Sequence, residues 1–186
     1  MKLRNLLALF AAATLTSAAA LAAPLCPAAG AATAGCNSVL TIGPGGSLSF
    51  AAGPSPTPYD SSEDNLVGVV NNSGAAVTSF TLSGSGNGGG LFNFDGDGID
   101  SYLSGSNSTD TTGYGGPLAY FTNLSTDRTT GTVNFINGGL ANGASTYFSL
   151  ESDFRTVTMT PEPGTLVLLG TGALGVVGTL RRRLFN

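Results

Sequence analysis

Thr129-Thr-Gly-Thr-Val-Asn-Phe-Ile136 and Ser145-Thr-Tyr-Phe-Ser-Leu-Glu151 decide the fold class of this 186-residue chain. In the first, Val133 and Phe135 fall on one face and Thr132 and Asn134 on the other. In the second, Tyr147 and Ser149 oppose Phe148 and Leu150. A period of two is the signature of a strand with two differently used faces. Between them stands Asn137-Gly-Gly-Leu-Ala-Asn-Gly143, rich in residues that accept turn backbones.

The pattern continues outward. Leu66-Val-Gly-Val-Val70 is a short apolar run ending in the turn Asn71-Asn-Ser-Gly74. Val77-Thr-Ser-Phe-Thr-Leu82 follows, then Gly84-Ser-Gly-Asn-Gly-Gly-Gly90, and later Leu118-Ala-Tyr-Phe-Thr-Asn-Leu124. No stretch of this body repeats apolar residues at three and four over twelve positions, so a helix is not expected within it. Roughly eight strands at ten- to fifteen-residue spacing predict an all-β fold, a single antiparallel β-sandwich with a jelly-roll-like arrangement as the alternative. The body is placed at 65–160. A leading segment, 24–64, is rich in Ala, Gly and Pro. It holds two short strands, Val39-Leu-Thr-Ile-Gly and Ser47-Leu-Ser-Phe-Ala, across a Gly-Pro-Gly-Gly turn, so the exported domain extends over 37–160 if they join the body. Pro54-Ser-Pro-Thr-Pro58 reads as an extended link.

Both ends differ from the body. Residues 1–23 have a basic start (Lys2, Arg4), an apolar run and Ala20-Leu-Ala22, the pattern of a secretory signal helix removed by signal peptidase. Residues 161–186 begin Pro161-Glu162-Pro163, continue uncharged from 164 to 180, and reach Arg181, Arg182 and Arg183. A helix over 164–180 would be about 25 Å long, at the short edge of what spans a hydrocarbon core of about 30 Å. The three arginines would hold the C-terminal side cytoplasmic and leave the body outside. Between the signal and this span lie two arginines, Arg128 and Arg155, against eleven acids, a net charge of −9 that the whole-chain value of −4 conceals. Such a body does not bind nucleic acid or an anionic membrane by electrostatics, and it attracts cations.

A Pro-Glu-Pro element, an apolar span and a basic end, in that order, resemble the PEP-CTERM sorting signal of Gram-negative bacteria. Pro161, Glu162 and Pro163 fall on the family's motif, and Arg181, Arg182 and Arg183 on its basic end, the topology anchor. The resemblance implies recognition by exosortase, an intramembrane transpeptidase, and release to the cell surface, often where exopolysaccharide and biofilm are made. The phrases Asp64-Asn-Leu-Val-Gly-Val-Val-Asn-Asn, Phe94-Asp-Gly-Asp-Gly-Ile and Gly131-Thr-Val-Asn-Phe resemble exported members more loosely. They bring no activity with them.

Three features of the body invite chemistry. Asn93, Asp95 and Asp97 offer side-chain oxygens at alternate positions, with Gly98 at the bend and the Ile99 carbonyl next. That order suits a calcium loop, with Asp100 standing in for the missing final Glu. A polar Asp-Gly turn is the plainer reading of the same residues. Cys26 and Cys36, ten apart in an exported chain, are expected to form a disulfide on a peripheral segment. Tyr59, Tyr102, Tyr114, Tyr120 and Tyr147 have the ring faces to stack on sugars, though strand packing is the commoner use of such residues.

Catalysis has little material. The chain contains no His, so a Ser-His-Asp triad is excluded and zinc loses its main nitrogen ligand. The carboxylates Asp60, Glu63, Asp64, Glu151 and Asp153 read as surface acids rather than a glycosidase pair. The expectation is a non-enzymatic, β-rich structural or matrix protein, secreted through the inner membrane and held transiently by its C-terminal helix. It needs no cofactor unless calcium occupies the loop, and its partners beyond the processing enzymes include extracellular polysaccharide. The alternative is a calcium- or carbohydrate-binding adhesin domain delivered by the same tail.

Overall fold

The computed structural model describes residues 25–32, 35–86, 89–152 and 156–160, the last five through their backbone. The signal at 1–23 and everything from Pro161 onward, including the span at 164–180 and the arginine triplet, lie outside the described residues. Among the described residues no helix is long and apolar enough to cross a membrane.

The fold is all-β. Its strands are β1 (Ser38–Ile42), β2 (Leu48–Ala52), β3 (Asn65–Asn71), β4 (Ser79–Gly86), β5 (Gly89–Gly90), β6 (Ala119–Thr122), β7 (Thr130–Phe135), β8 (Ser145–Leu150) and β9 (Thr156–Thr160). They form two sheets. One has the order β2-β1-β3-β8; the other has β5-β4-β7-β6, with β9 also paired to β4. Among the described residues the helical elements are two short 3-10 turns, Pro44–Gly46 and Ile99–Ser101.

The antiparallel expectation fails at one pair: β1 and β3 run parallel, Leu40 beside Val69. The reason is the hairpin. β2 returns antiparallel to β1 and ends with Ala52 opposite Ser38. The loop 53–64 then passes the start of β1 and enters β3 from that same end, on the other edge of β1. A strand entered that way can only be parallel. Buried Asn37 secures the crossing. Its Nδ2 donates to the carbonyls of Ser55 and Thr57, at 3.2 and 2.7 Å, and its Oδ1 accepts from the Leu66 amide at 2.7 Å. So β1 and β2 belong to the same sheet as β3 and β8.

One apolar core draws on both sheets. Leu40, Ile42, Val67, Val69, Phe148 and Leu150 come from the first, and Phe80, Leu82, Val133 and Phe135 from the second. Val133 and Phe135 lie on the same buried face that the opening stretch assigned to them. Phe121 of β6 meets Phe148 of β8 edge-on at 5.7 Å, joining the sheets directly.

β3 is buried on its second face too, which is why it reads as a near-continuous run of apolar or small residues, and β8 joins it there at buried Ser149. There a smaller core forms from Cys26, Ala29, Ala32, Cys36, Tyr59, Leu66 and Ile99. Cys26 and Cys36 are joined by a disulfide, Cα–Cα 5.0 Å. It is not peripheral, as the sequence suggested: both cysteines are buried, and Cys36 sits over Gly68 of β3. A Cβ at Gly68 would lie 2.5 Å from Cys36 Sγ, so the absence of a side chain there makes room for the bridge.

Candidate functional site

The register of β3 against β8 brings two acids to one place. Asn65 pairs with Leu150, so Asp64, just before β3, and Glu151, just after β8, emerge at the same end of neighbouring strands. Both are buried, at 1% and 4% exposure. Sequence reasoning had put them on the surface, because nothing local marks an acid as buried; that follows from which strands pair.

Two loops converge on this end. In the first, Asp60 Oδ1 accepts from the amides of Ser62, Glu63 and Asp64 at 3.0–3.1 Å, folding the chain into a tight turn ahead of β3. The second carries Asp95 and Asp97. It is fixed by the Asp95 amide donating to Glu151 Oε2 at 3.3 Å and by Phe94 stacking on Tyr114 at 4.2 Å. The result is six carboxylates in two groups. Oxygens of Asp60, Asp64 and Asp97 lie within 4.8 Å of one another, and so do those of Glu63, Asp95 and Glu151.

Two buried tyrosines face the acids. Tyr59 donates to Asp64 Oδ2 at 2.6 Å. The Tyr114 hydroxyl lies 2.8 Å from Glu151 Oε2, 3.0 Å from Asp97 Oδ1 and 3.2 Å from Asp95 Oδ1. A phenol has one proton to give, so two of those three oxygen contacts lack one. Neither tyrosine is free to stack on a sugar. Tyr102 is the exposed one, at 40%, and it packs edge-on to Tyr59 at 5.0 Å.

Opposite charge is scarce. Among the described residues Arg128 is the one basic side chain, against nine acids. Burial pushes the Asp64 carboxyl up to about 8, with Asp97, Glu151 and Asp60 adding to the rise and the Tyr59 hydrogen bond opposing it. Burial likewise raises Glu151. The contact between Asp95 and Asp97 lowers Asp95 and raises Asp97. Burial and the neighbouring acids raise both Tyr59 and Tyr114 far above the ordinary phenol range, so they remain donors. Beside Asp95 opens a cleft of about 390 Å³, lined in part by Phe92, Phe94, Thr112, Leu124 and Arg128.

Of the calcium-loop residues read from the sequence, the structure brings Asp95 and Asp97 to this cluster. Asn93 is exposed, its amide bonded to the Gly90 carbonyl. The Ile99 carbonyl accepts from the amides of Tyr102 and Leu103, both at 3.0 Å, closing a 3-10 turn in place of pointing at an ion. Asp100 belongs to neither carboxylate group. The twelve-residue loop geometry is therefore not what these residues adopt. The signal that would have found the rest of the cluster is the placement of Asp60, Glu63 and Asp64 before one strand and Glu151 after another, legible only once the strands are known to be neighbours.

No curated protein and no solved structure matches the chain. A protein-family model does, over residues 160–183: the PEP-CTERM protein-sorting motif, beginning on the last residue of β9. The chain carries that motif, the mark of an exported, surface-sorted protein whose processing partner is exosortase.

Proposed function

We propose that this is a non-enzymatic structural protein of the cell surface or extracellular matrix, whose folded body is the cargo and whose tail is the address. In this reading a signal peptide at 1–23 starts export and is cut by signal peptidase. The apolar run 164–180 then stops the chain in the inner membrane with Arg181–Arg183 on the cytoplasmic side. Exosortase acts near Pro161-Glu162-Pro163, and the body leaves as a β-sandwich, its two sheets packed face to face over their common core. Extracellular polysaccharide is the surrounding it is suited to, since a body with a net charge of −9 before the span is soluble and repelled by anionic membranes.

The observation that carries the reading is the direct succession of body and motif. Thr160 is both the last residue of β9 and the first of the matched motif. A cut beyond Pro163 would leave every strand in place. The absence of His from the chain favours a passive role over hydrolysis.

Mass spectrometry of the protein recovered outside the cell tests this at both termini. The wild-type chain should have lost the signal and all three arginines. A Pro161→Ala/Glu162→Ala/Pro163→Ala variant should keep Arg181–Arg183 and remain in the membrane fraction. Recovery of wild-type protein outside the cell with its arginines attached would refute the proposal.

A further inference from the structure

The acid cluster does not resemble a set of solvated surface charges. Its two groups come from three separate stretches of chain, 60–64, 95–97 and Glu151, brought together by tertiary folding. Asp64 is 1% exposed, faces Asp60 and Asp97, and its Oδ1 accepts no hydrogen bond, although its other oxygen is bonded to Tyr59. A buried carboxylate oxygen without a donor costs free energy unless a positive charge meets it. No basic side chain of the described residues reaches that oxygen: Arg128 lies along the cleft beside Asp95. Around Tyr114 the acceptors again outnumber the protons, three carboxylate oxygens to one hydroxyl.

We propose that Asp60, Asp64 and Asp97, beside the second group of Glu63, Asp95 and Glu151, form a binding site for a hard divalent cation of the calcium class. The donors are all oxygen, which selects a hard ion over zinc or copper. The spread of the ligand atoms also fits. Oxygens on opposite sides of a calcium ion stand about 4.8 Å apart, twice a bond of about 2.4 Å, and each group lies within 4.8 Å. A magnesium ion would need a tighter octahedron and would keep its waters. The site differs from the loop suggested by the spacing of Asp95, Asp97 and Asp100, because Asp64 is its buried centre and Asp100 has no part in it.

The cation acts as a clip. It ties the turn before β3 to the Asp95–Asp97 loop, beside the core that contains the disulfide. Both devices favour the exterior. Disulfides persist in an oxidising compartment, and calcium sites of extracellular modules are tuned to about 0.1–1 mM. The body thus reaches full stability only after export. This proposal is independent of the sorting reading, since it concerns the folded body alone.

The test uses the full-length chain purified in detergent with EDTA and then exchanged into buffer. The thermal midpoint is followed by near-UV circular dichroism, which reports the buried tyrosines. Calcium chloride at 5 mM should raise the midpoint by about 5 °C or more over sodium chloride of equal ionic strength. Calorimetric titration with calcium should saturate. Asp95→Asn/Asp97→Asn changes only exposed side chains, so the protein folds; it should lose most of the calcium shift, while Asp127→Asn, on the β6–β7 turn, keeps it. An equal midpoint in the calcium and sodium buffers would overturn the proposal, as would a full calcium shift in the Asp95→Asn/Asp97→Asn protein.

Discussion

Asp64 shows how much a single side chain can depend on its surroundings. Its carboxyl is buried among Asp60, Asp97 and Glu151, and one hydroxyl, that of Tyr59, answers it. Without a cation the ionised form is unfavourable, because burial and like charges act in the same direction. Asp64→Asn removes the charge and keeps an oxygen to accept from Tyr59. In EDTA the variant should therefore be more stable than the wild type, by about 1–3 kcal/mol. In millimolar calcium the order should reverse, since the wild type gains a ligand set that the variant lacks. Chemical denaturation in the two buffers measures both signs, and a variant less stable than wild type in each would show that the carboxylate is not repelled. Two of the six carboxylates could be read as a candidate ligand set from the sequence. Asp95 and Asp97 stand out by their alternation with glycine. Asp64 and Glu151 do not, because an acid beside a strand is normally solvated and only the Asn65–Leu150 pairing buries this pair.

At the scale of elements, the strands were legible where one face is apolar and the other polar. Thr130–Phe135 alternates, as does Ser79–Gly86, whose Phe80 and Leu82 are buried between Thr and Ser positions. The run at 65–71 was legible as a strand but not as one covered on both faces. What covers its second face is the disulfide segment, and its low complexity, Pro, Ala, Gly and Thr, concealed a packing role. The parallel pairing of β1 with β3 was hidden for a similar reason: hairpin spacing reports antiparallel neighbours and is silent about which edge the next strand joins. The disulfide closes a loop of ten residues, worth about 2–3 kcal/mol by its effect on the unfolded chain. Replacing Cys26 and Cys36 by Ser also leaves two hydroxyls, that of position 36 over Gly68, in a core with Tyr59 and Ile99. The double variant should lose more than that entropic amount, about 3–5 kcal/mol in all. A loss of 2 kcal/mol or less in urea unfolding would mean that the segment is the loose appendage its composition suggests.

At the scale of the whole molecule, the outer edge of β4 is where body and tail meet. β9 pairs with β4 from Thr81–Thr160 to Ser85–Thr156, on the edge opposite β7. Processing beyond Pro163 would leave that pairing intact; a cut before 156 would strip it. An unpaired edge offers a row of amides and carbonyls to any other chain, and this stretch of β4 has only Thr, Leu, Ser and Gly between positions 81 and 86, with no charge to repel a neighbour. If β9 shields this edge, the cargo keeps that protection only when processing falls beyond it. Two truncated chains separate these possibilities, one stopped after Thr160 and one after Ser152. Light scattering should give the first the same mass at all concentrations, while the second grows in mass as concentration rises. If both behave alike, β9 does not guard the edge, and the abutment of strand and motif is only a matter of chain length.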